Sequence, residues 1–167
     1  DSSNNAQRAK ITGDLSGNEI TLARNKLALY VQQKDFLSDL KTLQKDGSVA
    51  ATSRLKELAP FLEGNLIRVG GRLIHSNLAF DAKHQIVLPN NNHFTRLIFR
   101  HYHENGMHLP PTRLLHAVRE TFWSLRGKDM AKYTVRTCVK CFKVSPRGIE
   151  QFMGDLPPFR VQESAPF

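Results

Sequence analysis

The sequence contains only two cysteines, Cys138 and Cys141, among its 167 residues. They are separated by two residues, too close for a typical structural disulfide, so a disulfide framework is excluded. No apolar run approaches the roughly 18 residues of a membrane-spanning helix. The polar N-terminus, residues 1–5, lacks the apolar centre of a signal peptide. These absences indicate a globular intracellular protein with no membrane partner, in which the two thiols remain reduced.

Motifs of common catalytic sites are also missing. Gly70-Gly71 is not followed by the Lys-Ser or Lys-Thr pair of a phosphate-binding loop. The sequence shows no nucleophile motif and no convincing cluster of carboxylates. We therefore predict that this chain is not an enzyme by itself and has no small-molecule substrate.

Acidic residues are scarce relative to basic ones. The chain has 15 Asp and Glu against 24 Lys and Arg, a net charge of +9. Residues 93–147 carry 11 Lys and Arg against 3 Asp and Glu, a net of +8, whereas residues 1–92 carry +3 and residues 148–167 carry -2. Such a concentration of positive charge predicts binding to a polyanion, with nucleic acid the leading candidate. The alternative is a basic face that is merely solvated.

Four residues in the basic region have the types and spacing of a zinc site. His103 and His108 are followed, after 29 residues, by Cys138 and Cys141. Zn²⁺ binds imidazole nitrogen and thiolate sulfur in a tetrahedron, and two cysteines separated by two residues can reach one metal from a single turn. Because all four ligands come from the protein, we predict one structural zinc ion with no open position for a catalytic water.

The two histidines cannot both bind the metal from one unbroken helix. Five helical positions turn the chain by about 500°, which places His108 about 140° from His103. Asn105-Gly106 is expected to supply the break, since both residues tolerate left-handed backbone geometry. His101 remains an alternative to His103 as the first ligand, which would give the spacing H-x6-H with His108, or it lies on the helix surface; we favour His103.

Hydrophobic periodicity outlines the elements. Residues 18–46 predict one long helix or two abutting helices that end at Gly47. A short helix before Pro60 and strands at residues 66–69, 72–74 and 85–88 are expected next. Asn92 and Pro110-Pro111 are expected to begin two further helices, and a third begins near Gly127. Phe122 is expected to be buried by the second of these helices, with Trp123 filling the core of the zinc unit.

The predicted fold class is α+β, mainly α. Residues 1–17 are expected to be disordered, and residues 18–92 to form helices with a small sheet. Residues 93–143 are expected to form a three-helix, zinc-clamped HHCC domain, because a metal compensates for the thin core of so small a unit. Residues 144–167 are rich in Pro and Gly and predict an extended connector.

The sequence resembles the integrase region of Pao/BEL-type long-terminal-repeat retrotransposon polyproteins, from about residue 20 to the end. The segments that carry the resemblance are Leu58-Ala59-Pro60-Phe61-Leu62, Ile67-Arg68-Val69-Gly70-Gly71-Arg72-Leu73, Lys83-His84-Gln85-Ile86-Val87-Leu88-Pro89, Tyr102-His103, His108, Thr121-Phe122-Trp123, Cys138-Val139-Lys140-Cys141 and Met153-Gly154-Asp155-Leu156-Pro157. One departure from the family pattern is Leu109-Pro110, directly after His108.

The resemblance implies a role in DNA integration by a transposable element. It implies that residues 93–143 are similar to the N-terminal zinc-binding domain of integrase, with the metal ligands at His103, His108, Cys138 and Cys141. It further implies that reverse transcriptase and RNase H precede this segment and that a core with three catalytic carboxylates follows Phe167. The expected location is intracellular: the nucleus during integration and a cytoplasmic particle otherwise.

We therefore predict a non-catalytic zinc-binding module that binds DNA and supports integrase assembly. The alternative is a zinc-dependent protein-interaction or multimerisation module, whose partners are further copies or the catalytic core. This alternative includes a repurposed or decayed fragment of the element. The candidate DNA contacts are the basic residues Arg113, Arg119, Arg126, Lys128, Lys132, Arg136, Lys140, Lys143 and Arg147. We expect them to contact phosphates with little sequence preference.

Overall fold

The computed structural model describes residues 13–71, 73, 76–146 and 153–162. The helices are α1 (Gly17–Asp35), α2 (Leu37–Asp46), α3 (Phe80–Lys83), α4 (His93–Asn105), α5 (Pro111–Arg119), α6 (Gly127–Thr137), α7 (Val139–Val144) and α8 (Pro158–Val161), with a 3-10 turn at Lys56–Leu58. The strands are β1 (Phe61–Glu63), β2 (Leu66–Arg68), β3 (Ile86–Leu88) and β4 (Phe122–Ser124). The predicted class, mainly helical with a small sheet, is confirmed.

The N-terminal helices begin and end at the residues that their sequence favours. Ser16 caps α1 through a reciprocal capping box with Glu19, which satisfies two backbone amides at the helix start. Helices α1 and α2 abut at the buried Phe36, and α2 ends at Gly47 as predicted. Residues 1–17 were predicted to be disordered; residues 1–12 lie outside the described residues, whereas Ser16 and Gly17 form the cap and first residue of α1.

The four strands form one sheet in the order β1-β2-β3-β4. The first two pairings are antiparallel, and β3 pairs with β4 in parallel. The predicted strand at 72–74 is wrong where it can be checked, because Leu73 lies in a turn; Arg72 and Ile74 lie outside the described residues. The strand that forms a hairpin with β2 is β1, which precedes it in the chain. Gly64 and Asn65 connect them with φ of 54° and 70°, the left-handed geometry of a tight hairpin turn.

The sheet separates two hydrophobic cores, because alternate side chains of a strand point to opposite faces. One core joins sheet residues to the helices of the zinc region and contains Ala28, Leu66, Ile86, Leu88, Phe99, Leu114, Val118, Phe122 and Ala131. The other contains Phe36, Leu40, Leu43, Leu55, Ile67, Val69 and Val87. The first core thus includes residues on both sides of the predicted boundary at residues 92 and 93.

Phe122 is buried as predicted, whereas the position of Trp123 differs from the sequence prediction. Both lie in β4, so their side chains face opposite cores. Phe122 is buried against the helices, whereas Trp123 packs on the core of α2 and does not fill the zinc unit. The guanidinium of Arg119 lies over the indole ring, 4.5 Å from its centroid. A three-residue strand is too short to show a period, and its pairing with β3 is not local in sequence.

Gln32 of α1 replaces a missing part of the ladder between β2 and β3. Arg68 pairs with Ile86, so Ile67 and Val87 would form the next pair of this register. Instead, Gln32 Nε2 donates to the carbonyls of Ile67 and Val87 at 2.9 and 2.7 Å, and Gln32 Oε1 accepts from the Ile67 amide at 2.8 Å. The fully buried Gln32 side chain therefore fixes α1 to the sheet.

The C-terminal part is exposed wherever its side chains are described. The predicted connector, residues 144–167, begins at the last residue of α7, Val144, and contains a single helical turn, α8, which begins at the Pro157-Pro158 pair. The segment between them, 147–152, lies outside the described residues. None of the helices described combines the length and apolar composition needed to cross a membrane.

Replacing Gln32 by Ala is expected to lower the free energy of unfolding by about 1–3 kcal/mol, because buried backbone groups of β2 and β3 lose their partners. Urea unfolding of the zinc-loaded protein measures the change. Gln33→Ala is the matched control, since Gln33 is the exposed neighbour on the same helix. Equal unfolding midpoints for the two variants would contradict this role of Gln32.

Candidate metal centre

The structure brings together the four residues that the sequence predicts as metal ligands. His103 lies near the end of α4, His108 in the following loop, Cys138 between α6 and α7, and Cys141 within α7. One ligand atom from each side chain lies within 4.8 Å of all the others. Among the residues described, this is the one cluster of three or more potential ligands.

The distances between the ligand atoms fit a zinc tetrahedron. His108 Nδ1 lies 3.1 Å from His103 Nε2, and each cysteine sulfur lies 3.3 Å from an imidazole nitrogen. Zinc bonds of about 2.0 Å to nitrogen and 2.3 Å to sulfur imply edges of about 3.3 Å between two nitrogens and about 3.5 Å between nitrogen and sulfur. His103, His108, Cys138 and Cys141 are therefore positioned to bind one zinc ion.

A backbone carbonyl fixes the tautomer of His103. Its Nδ1 lies 3.0 Å from the carbonyl oxygen of Leu109, which can only accept a hydrogen bond. Nδ1 must therefore carry the proton, which leaves the Nε2 lone pair directed at the metal position. Such a hydrogen bond behind a ligating imidazole fixes the orientation of the ring. His103 is only 1% exposed, so its ring is also held by packing.

The loop after α4 turns His108 back toward His103. The break occurs where it was predicted, since α4 ends at Asn105, but the left-handed residues differ from the expectation. Gly106 has φ of -85°, and the positive φ values of 54° and 63° belong to Met107 and His108. The amide of His108 donates to the His103 carbonyl at 2.8 Å, which closes the loop.

Position 106 requires glycine because there is no room for a Cβ atom, and not because its φ is positive. A Cβ at this position would lie 2.5 Å from Leu109 Cδ1 and 2.9 Å from the Tyr102 carbonyl oxygen. Any larger residue would have to displace the Leu109 side chain and the backbone carbonyl of Tyr102. Met107 and His108, by contrast, are non-glycine residues in left-handed geometry. This geometry costs about 1–3 kcal/mol for each residue and persists where surrounding interactions hold it. A metal bound to His108 provides such an interaction.

The two cysteines occupy the junction of α6 and α7. Cys138 interrupts the helix with an extended backbone, φ -76° and ψ 115°, and precedes the first residue of α7. The backbone amide of Cys141, which points toward the Cys138 sulfur, is the main cause that lowers the pKa of Cys138 to about 6. Burial is the main cause that raises the pKa of Cys141. Cys138 thus offers a thiolate at neutral pH.

His101 does not take part in the centre. It is exposed on α4, where its Nε2 lies 3.1 Å from Nδ2 of Asn105, and it is absent from the ligand cluster. Two residues before His103, it lies on another side of the helix. The preference for His103 over His101 is confirmed.

The family comparison agrees with this geometry. Residues 90–147 match the family model of the integrase zinc binding domain. We call this segment the H2C2 domain. The match covers about a third of the chain and includes all four ligands. No curated protein and no solved structure matches the chain. The matched domain is the zinc-binding, non-catalytic part of integrases.

The predicted DNA-contact residues have different environments. Lys128, Lys132 and Arg136 are exposed on α6, and Lys140 and Lys143 are exposed on α7. Arg113 is exposed on α5, and Arg126 forms an exposed ion pair with Asp129 at 3.0 Å. Arg119 is half-buried on Trp123, and Arg147 lies outside the described residues. Five of the nine candidates therefore lie exposed on α6 and α7.

Two basic residues that the sequence analysis did not select lie beside the metal centre. Arg96 and Arg100 of α4 line a cleft of about 700 Å³ between α4 and α6, together with His103, His108 and Cys138. Their spacing of four residues on the exposed side of an amphipathic helix was the available signal. This signal was insufficient, because the opposite wall of the cleft is formed by α6, about 35 residues later in the chain.

Replacing a ligand, as in Cys138→Ser or His103→Asn, is expected to reduce bound zinc from about one ion per chain to well below that, because the remaining donors form an incomplete tetrahedron. Elemental analysis of protein purified without chelators measures the content. His101→Asn is the matched control and should keep the full zinc content. Full zinc content in the Cys138 variant would contradict the assigned ligand set.

Proposed function

We propose that this chain is a non-catalytic DNA-binding module of a Pao/BEL-type retrotransposon integrase, in which zinc fixes a basic helical surface for use in DNA integration. The H2C2 match supports the integrase assignment, and the motifs outside residues 90–147 support the retrotransposon class. The proposed location follows from the function: the nucleus during integration and a cytoplasmic particle otherwise. DNA and other parts of the integrase are its proposed partners.

The main observation is a row of cations on α6. Lys128, Lys132 and Arg136 are spaced by four residues, so they lie along one side of the helix. The buried residues of α6 include Ala131 and Thr134, which places the row on the side facing solvent. Eight residues of helix extend about 12 Å, which corresponds to three or four phosphates along one DNA strand. We name Lys128, Lys132 and Arg136 the α6 row.

The charges of the α6 row are available to a ligand. No ion pair involves these three residues in the described part of the chain, and the same holds for Lys140 and Lys143 on α7. Residues 93–147 contain only three acidic residues, and two of them, Glu104 and Asp129, are paired with Arg100 and Arg126. A row of unpaired cations without base-reading side chains favours phosphate contacts of low sequence specificity.

The metal chemistry supports a structural role within this function. Two imidazoles and two thiolates complete the tetrahedron, which is the composition of closed structural sites. Zinc joins the end of α4 to the start of α7 and so sets the position of the cations on α6 and α7. The proposed DNA affinity therefore depends on zinc through the shape of the surface.

The double variant Lys132→Ala, Arg136→Ala is expected to bind a short blunt DNA duplex more weakly and to reduce the slope of log affinity against log salt by about two, one for each lost phosphate contact. Fluorescence anisotropy of labelled DNA over a range of salt concentrations measures this slope. The double variant Lys41→Ala, Lys45→Ala on α2 is the matched control, with the same spacing of exposed cations. A wild-type affinity that does not change with salt would contradict the proposal.

A second candidate function is self-association, and an exposed apolar groove favours it. Ile20, Ala23 and Leu27 of α1 line this groove of about 500 Å³ together with Phe94 and Ile98 of α4. Their spacing of three and four residues is that of a helix seam that packs against another helix. Ile20 and Leu27 are 55% and 53% exposed, so this seam has no partner helix within the described part of the chain.

If a second copy occupies this groove, sedimentation is expected to show a dimer that Leu27→Glu converts to monomer, because a charge in an apolar seam is costly to bury. Leu22→Glu is the matched control, since Leu22 is exposed on α1 and does not line the groove. Sedimentation with zinc and after chelation shows whether assembly needs the metal. A monomer at all concentrations would exclude this candidate.

A further inference from the structure

The cleft between α4 and α6 combines flat apolar surfaces with positive charge. Leu97 on one wall and Tyr133 and Val139 on the other are 44%, 53% and 65% exposed. Arg96 and Arg100 lie on the α4 wall, and Lys140 lies beside Val139. An exposed aromatic ring next to cations is the combination with which proteins bind unpaired nucleotides, since bases stack on the ring and phosphates contact the cations.

The cations of the cleft exceed its acids. Arg100 Nε forms an ion pair with Glu104 at 3.2 Å, but both side chains are largely exposed, and such pairs contribute little. Arg96 Nη2 donates to the neutral amide oxygen of Asn91 at 2.7 Å, so its charge is not neutralised there. Lys140 forms no ion pair within the described ranges. The cleft thus has three cations, Arg96, Arg100 and Lys140, against one carboxylate, Glu104. The excess positive charge is available to bind a phosphodiester.

The shape of the cleft distinguishes between duplex and single strand. Its volume of about 700 Å³ falls within the range of pockets that enclose small organic groups. A base stacked within a duplex exposes only its edges, so its face cannot reach a ring inside a cleft unless the nucleotide leaves the stack. The α6 row, in contrast, lies on an open helix face and suits a continuous backbone.

We propose that this cleft binds an unstacked nucleotide of a single-stranded segment, with its base on Tyr133 between Leu97 and Val139 and its phosphate at Arg96 and Lys140. The inference extends the proposed DNA-binding function by adding preference for single strands. His103, His108 and Cys138 line the same cleft. Zinc therefore holds its two walls together, one from α4 and the other from α6 and α7.

The test compares three labelled DNAs by anisotropy: a blunt duplex, the same duplex with a short single-stranded overhang, and a short oligothymidine. The wild type is expected to bind the overhang duplex more tightly than the blunt one. Tyr133→Ala should weaken oligothymidine binding by about 5-fold to 100-fold, as for loss of one stacked base, and leave blunt duplex binding unchanged. Tyr133→Phe should retain the preference because it keeps the ring.

Tyr30→Ala is the matched control, since Tyr30 is an exposed tyrosine on α1 outside the cleft. Zinc content and the unfolding midpoint confirm that each variant is folded. Equal binding of blunt and overhang duplexes, or an oligothymidine affinity unchanged in Tyr133→Ala, would overturn the inference alone. Tyr133-dependent binding of oligothymidine without salt-dependent duplex binding would support the cleft and contradict the proposed duplex surface. Absence of binding to all three DNAs would overturn both.

Discussion

The tetrahedron of two imidazoles and two thiols is an arrangement that a cation makes favourable. His103 donates its Nδ1 proton to the Leu109 carbonyl, so its Nε2 presents a lone pair. This lone pair faces His108 Nδ1 at 3.1 Å and the sulfur of Cys141 at 3.3 Å. Without a metal these lone pairs repel one another, whereas a zinc ion at the centre binds all of them as ligands. The binding energy of such a site becomes part of the folding energy of the segments that supply the ligands.

The metal and the sheet stabilise different parts of the chain. The parallel pairing of β3 with β4 and the shared core join the H2C2 domain to the preceding helices without any contribution from zinc. Helix α7, in contrast, has no buried residue, and Phe142 and Val144 are exposed. Since the apolar contacts of α7 are so few, its attachment depends on Cys141 and the metal. Loss of zinc should therefore release α7 and the loop of His108 before it affects the sheet.

The parts of the structure that the sequence predicted are those encoded locally. The C-x2-C pair, Asn92 as a helix cap and Gly47 as a helix end each depend on a few adjacent residues. The strands β1 and β4 were missed because three residues show no period and their partners lie far along the chain. The left-handed geometry of Met107 and His108 follows from closing a loop onto the metal, which the residue types do not encode. Arg96 and Arg100 could not be selected from the sequence of α4 alone, because the cleft that they line is formed only when α6 packs opposite them.

If the proposed nucleic-acid binding holds, it should be coupled to zinc binding, because the two sites share one short segment. Lys140, proposed to contact phosphate, lies between the ligands Cys138 and Cys141. A change in the backbone position of the two ligands would therefore also move Lys140. Coupling between two binding sites is reciprocal, since a ligand that favours one conformation increases the affinity of any other ligand that needs it. The geometry that zinc imposes on α7 would increase the affinity for DNA, and bound DNA would increase the affinity for zinc by the same factor. The metal centre can thus support function through this coupling without an open coordination position.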